Sequence, residues 1–203
     1  MATKEFNGNL PSNHKVTIGI DQSLTGFALS AVSIESPVNH MTWVFKSSYR
    51  GVQRLDDIQT FMFDKFEWLK DRGNRIEEIA MEGTVLASQS ALVLGELAAA
   101  VKLLAFDYFN GTNNASPGFP EHMRFPLQIP PMTLKKYAAG KGNAKKQEML
   151  MQIYKRWGLE FNDDNAADAY SLGRLATGTS INDVEAAVVE QIKDPKYRDT
   201  LLP

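Results

Sequence analysis

Four acidic residues stand where an apolar segment ends or a helix begins. Asp21 closes the apolar stretch KVTIGI, and Glu82 closes IEEIAM just before Gly83. Asp164 and Asp168 lie at the head of DNAADAYSLGRLA, and a four-residue step keeps both on one helix face. An acid just past a buried strand is costly to desolvate unless it is paired or coordinates a metal. Carboxylates converging from neighbouring elements form a hard-oxygen cluster suited to Mg²⁺ or Mn²⁺. Two such ions support phosphoryl chemistry, one activating water and the other stabilising a leaving 3′ oxygen. Taken singly, the same residues also fit plainer roles. Asp21 could cap a turn, and Asp163 or Asp164 could be a helix N-cap.

A second group with chemical potential is basic. Residues 130–160 hold Lys135, Lys136, Lys141, Lys145, Lys146, Lys155 and Arg156 against Glu148 and Glu160, a net +5. Within it, AGKGNAKK reads as a glycine-flexed loop entering a helix N-terminus, a place where lysines and exposed amides meet phosphate oxygens. Read without that context, it is a solvated helix face with a loop.

The elements that must position these groups follow from periodicity. Lys15–Ile20 reads as a buried strand, Gly26–Ile34 as a second and Met41–Lys46 as a third, joined by short turns into an antiparallel meander. Residues 51–72 then place Leu55, Ile58, Phe61, Met62, Phe66 and Leu69 at helical spacing. A strand over Ile76–Met81, a long helix over Ser88–Asn110 and a loop over 111–121 come next. Arg124–Ile129 is a last strand that Pro126 suits to a sheet edge. Helices over about 143–157, 164–177 and 181–193 complete the pattern. These elements predict an α/β fold: a mixed five-stranded sheet, antiparallel meander then parallel strands, flanked by helices. Residues 1–14 read as a flexible lead-in and 15–203 as a single domain.

Composition narrows the chemistry. The chain has no cysteine and only three scattered histidines, His14, His40 and His122, which disfavours zinc and excludes disulfides and Fe–S clusters. The start is polar without an apolar core, and no apolar run reaches membrane-spanning length, so a cytoplasmic protein is expected. A formal net charge of −2 argues mildly against a nucleic-acid binder. Its distribution argues the other way, because the basic segment leaves −7 on the remainder.

Four stretches in order resemble the RuvC-type Holliday-junction resolvases of the RNase H-like superfamily. They are IGIDQSLTGFAL, IAMEGTVLASQSALVLGEL, LKKYAAGKGNAKKQEM and DDNAADAYSLGRLA, together spanning roughly residues 15–177. The resemblance implies an RNase H-like fold, with Asp21, Glu82 and Asp168 as metal ligands and Lys135 and Lys146 as functional lysines near the scissile strand. It implies a homodimer using the helix 88–110, Mg²⁺ or Mn²⁺ (two ions), and paired nicks in four-way DNA junctions. Lys136, Lys141 and Lys145 would be further DNA contacts, and DDNAADA looks like the phage-encoded branch, which would act in the host cytoplasm.

Two positions depart from that pattern. The family's other acid in the last motif falls on Asn165, so Asp164 is the expected fourth ligand, with Asn165 the alternative as a neutral oxygen donor. The aromatic residue that follows the Glu in the cellular enzymes is Val85 here, and valine has no π-face on which a base could stack. The expected activity is a metal-dependent, structure-selective endonuclease resolving four-way and other branched DNA to 5′-phosphate products. Val85 leaves open a broader nuclease acting on flaps, forks or hybrids. Asn165 leaves open a junction-binding protein without catalysis.

Overall fold

Along β2 (Lys15–Asp21), Val16, Ile18 and Ile20 face one side of a sheet, while Thr17, Gly19 and Asp21 face the other. In this computed structural model, which describes residues 2–83, 91–110 and 124–201, that alternation separates two helical layers. The remaining strands are β1 (Ala2–Asn7), β3 (Phe27–Ser33), β4 (His40–Lys46), β5 (Arg75–Glu82) and β6 (Leu127–Ile129). The helices are α1 (Gly51–Asp71), α2 (Ala91–Asn110), α3 (Pro131–Ala139), α4 (Lys146–Trp157), α5 (Asp164–Ala176), α6 (Asp183–Lys193) and α7 (Pro195–Thr200).

The sheet order is β1-β4-β3-β2-β5-β6. The predicted meander is present, because β2, β3 and β4 pair antiparallel, and β5 and β6 continue the sheet in parallel to β2. One face carries α1 and α2 over Ile18, Ile20, Phe27 and Phe45; the other carries α3 to α6 over Ala28, Val44, Ala80 and Ile129. β6 sits at the edge as expected but is shorter than the expected Arg124–Ile129: it starts only after Pro126, which has no N–H for a ladder.

The structure holds six strands rather than five. Residues Ala2–Asn7, expected as part of a flexible lead-in, instead pair antiparallel with the outer edge of β4. β1 is exposed almost throughout, so it shows no apolar alternation that would mark it as a strand. Its partner, distant in sequence, makes it one. α3 is a second difference: the sequence reading places no helix between the last strand and about residue 143, but Pro131 opens one at a position where a missing N–H costs nothing. The start of the expected helix 88–110, Val85 and the loop 111–121 lie outside the described residues; α2 is described from Ala91.

Close approach fixes the sheet to α5. A Cβ at Gly19 would lie 2.0 Å from the Ala169 carbonyl oxygen and 2.3 Å from the Gly173 nitrogen. Thr17 Oγ1 donates to the Gly173 carbonyl oxygen at 2.6 Å. Only a glycine on β2 allows α5 to lie this near. The N-terminal end of α5 consequently hangs over the ends of β2 and β5.

Candidate active site

Asp21 and Glu82 are the last residues of two adjacent parallel strands, so their carboxylates emerge side by side at one rim of the sheet. Both point to the α5 face, since Gly19 and Ala80, two residues before them, pack on that side. α5 brings Asp164, Asn165 and Asp168 to the same place. Asp163, not Asp164, is the N-cap: its Oδ1 accepts from the amides of Asn165 and Ala166 at 3.1 and 3.3 Å. That leaves the Asp164 carboxylate for other work.

These groups line a cleft of about 430 Å³ that includes Asp21, Glu82, Asp164, Asn165, Asp168, Lys135 and Lys146. Gln22 Nε2 donates to the Glu82 carbonyl oxygen at 2.7 Å, and the Gly83 amide donates to the Ile129 carbonyl oxygen at 2.9 Å, so three strand ends are tied together. Asp21 is only 6% exposed. Burial, and then the Glu82 and Asp168 charges, hold its carboxyl well above the ordinary carboxylate range. Burial raises Glu82, against the opposing pull of Lys135 and Lys146. Asp168 is pushed up to about 7, by burial first and then by Glu82. Asp164 behaves oppositely. Its Oδ2 accepts from Lys146 Nζ, which lowers the carboxyl and raises the ammonium.

The arithmetic of the cleft is uneven. Fully ionised, four carboxylates would face two lysines, an excess of two negative charges that one divalent cation would offset. The donors are all oxygen and suit a hard cation. Among the described residues, no three acidic or histidine side chains are gathered as a ready-made metal site, so side-chain rotation has to complete any coordination.

No protein-family model matches the chain, and no curated protein does. Solved structures do. Thermus thermophilus RuvC in complex with Holliday junction substrate superposes with a TM-score of 0.58 at 23% identity, over 79% of this chain and 91% of that one. A second Thermus thermophilus RuvC structure gives 0.58 at 21% identity, over 88% and 96%. The chain has the RuvC fold.

Within this RuvC fold the predicted basic residues separate into two groups. Lys135, on α3, and Lys146, the first residue of α4, line the cleft with the acids. Lys136, Lys141 and Lys145 are exposed and do not line it; Lys141 pairs with Glu148 at 2.8 Å. Asn165 reaches Gly26, where an added Cβ would meet its Nδ2 at 2.6 Å. The periodicity of the sequence does not mark Gln22, Ser23 and Thr25, which also line the cleft. Their signal is the polar turn DQSLTG directly after the strand-end acid, where hydroxyl and amide side chains fold back on the backbone.

Proposed function

We propose that this chain is a metal-dependent, structure-selective endonuclease that resolves four-way and other branched DNA junctions. The observation that carries this reading is the meeting of Asp21, Glu82 and Asp168 in one cleft with Lys135 and Lys146, on a RuvC fold. Asp21, Glu82 and Asp168 would hold Mg²⁺ or Mn²⁺, with Asp164 or Asn165 as a further donor. Bound there, the ions supply Lewis acidity toward a phosphodiester and lower the pKa of water. Lys135 and Lys146 place positive charge where the phosphate gains negative charge during the reaction. Lys146 holds only Oδ2 of Asp164, which leaves Oδ1 as a donor oxygen while the ammonium stays beside the site of the phosphate. Hydrolysis forms one P–O bond from water and breaks the P–O3′ bond, leaving a 5′-phosphate and a 3′-hydroxyl.

Cleavage of a synthetic four-way junction with Mg²⁺ or Mn²⁺ tests the reading. The wild-type protein is expected to nick symmetrically, and Asp21→Asn to lose at least ~100-fold in rate, since loss of a ligand should exceed the roughly 10–100-fold that loss of a group merely supporting a ligand costs. Equal rates for the two would end the assignment. Val85 supports a second reading, a broader nuclease on flaps, forks or hybrids, and comparable rates across a panel of such substrates would favour it.

A homodimer through α2 is part of the proposal. Leu92, Val93 and Leu103 are exposed on α2, and Leu103 borders an apolar groove with Ala99, Phe106 and Phe125. Among the described residues no helix is long and apolar enough to cross a membrane. A phage-encoded enzyme of this kind would meet its DNA in the host cytoplasm.

A further inference from the structure

No acid occurs between Glu35 and Asp56, and that stretch carries Lys46, Arg50 and Arg54. They lie outside the basic segment 130–160, yet the sheet brings them to the same rim. Asp21 stands opposite Ala28 and Ala28 opposite Val44, so the three form one row across β2, β3 and β4. Lys46 is two residues beyond Val44. At about 4.8 Å between strands and about 3.4 Å per residue, its Cα is roughly 12 Å from that of Asp21. It also shares the face of Asp21, because Val44 packs in the α5-side core and Phe45 in the other.

From Lys46 the chain turns over the rim into α1, and this turn is held by side chains. Ser47 Oγ donates to Asp57 Oδ2 at 2.6 Å and accepts from the Tyr49 amide at 3.0 Å. Arg54 Nε donates to the Tyr49 carbonyl oxygen at 3.0 Å. The turn presents Lys46, Tyr49 and Arg50 to solvent. Among the described residues, none of Lys46, Arg50 and Arg54 has an acid within ion-pair distance, whereas Lys141 and Lys146 both do. The α3 and α4 lysines follow β6, on the opposite flank of the acids. Positive charge therefore brackets the carboxylates from both sides.

We propose that the rim formed by Lys46 and Arg50 is a second phosphate-backbone contact, which seats a duplex arm of the DNA cut in the cleft. This inference rests on the nuclease reading above. Roughly 12 Å corresponds to three or four base steps at about 3.4 Å each, a separation at which one rigid arm reaches both places. The contact positions the duplex and reads no bases. Arg54 braces the turn through Tyr49 and is a positioning residue for it.

The test is DNA binding without divalent ions by the full chain and by the double variant K46Q/R50Q, titrated on a four-way junction between 50 and 200 mM salt. Both positions are exposed, so the thermal midpoint is expected to stay unchanged. Losing two phosphate contacts lowers the slope of log affinity against log salt by about 1.8, so the deficit of the variant shrinks about tenfold across that range. With Mg²⁺ present, KM is expected to rise and kcat at saturating junction to hold. Wild-type binding with the same affinity and slope in the variant would overturn the rim alone. Failure of the wild-type chain to bind any DNA would remove the nuclease reading and the rim with it.

Discussion

At the scale of single residues, the acids of the cleft carry a cost that pH exposes. Burial, and then the Glu82 charge, push the Asp168 carboxyl up from its ordinary 3.8 to about 7 in the folded chain. Its ionised form therefore opposes folding: the cost is absent below about pH 4 and grows as pH rises through neutrality. The metal-free protein should lose on the order of 2 kcal/mol from this group between pH 5.5 and 8. Thermal melts of wild type and Asp168→Asn at those two pH values measure it. The asparagine variant should show a smaller decline, and Mg²⁺ or Mn²⁺ should return stability to the wild type at pH 8. A variant with an unchanged pH dependence would show that the carboxyl titrates normally. Asp21, Glu82 and Asp168 are legible in the sequence because each ends or opens an element whose period is clear. The partner of Asp164 is not legible: Lys146 lies on a different helix, and only folding brings the two together.

At the scale of elements, the strands β2 to β5 and the helices α1 and α5 announce themselves by buried alternation or helical spacing. Their ends agree with the sequence reading to within one or two residues. β1 and α3 do not announce themselves. β1 owes its shape to β4, and the nine residues of α3 bury only Leu134, Tyr137, Ala138 and Ala139. The fit of β2 against α5 leads to a sharp expectation. Gly19→Ala places a methyl group on backbone atoms of Ala169 and Gly173, which cannot yield as a flexible side chain would. It should cost about 1–3 kcal/mol in denaturant unfolding, the range for overpacked interiors. It should also depress junction cleavage beyond the loss of folded protein, since α5 carries Asp168. Cleavage in proportion to the folded fraction would mean that α5 holds its place.

For the molecule as a whole, the net charge of −2 conceals a basic segment and a basic rim on either side of an acidic cleft. Linear charge counting finds the first and misses the second, whose three cations are dispersed over nine residues and are placed beside the acids only by strand register. β1 completes the sheet by covering β4. Removing residues 2–8 should leave the carboxylates in place and expose a bare strand edge, a template for pairing with other chains. Sedimentation should then show concentration-dependent association while junction cleavage persists; a monodisperse truncated protein would show that β4 needs no cover. The contact between Gly19 and α5 has one more consequence. Asp21 and Asp168 are seated on parts clamped together through backbone, whereas Lys135 and Lys146 ride on two helices joined across Gly140, whose φ is +84°. The acids rise on short stems from this clamped backbone while each lysine ammonium ends a long, rotatable stem, so misfit with an incoming phosphate is expected to be taken up by the lysine side chains.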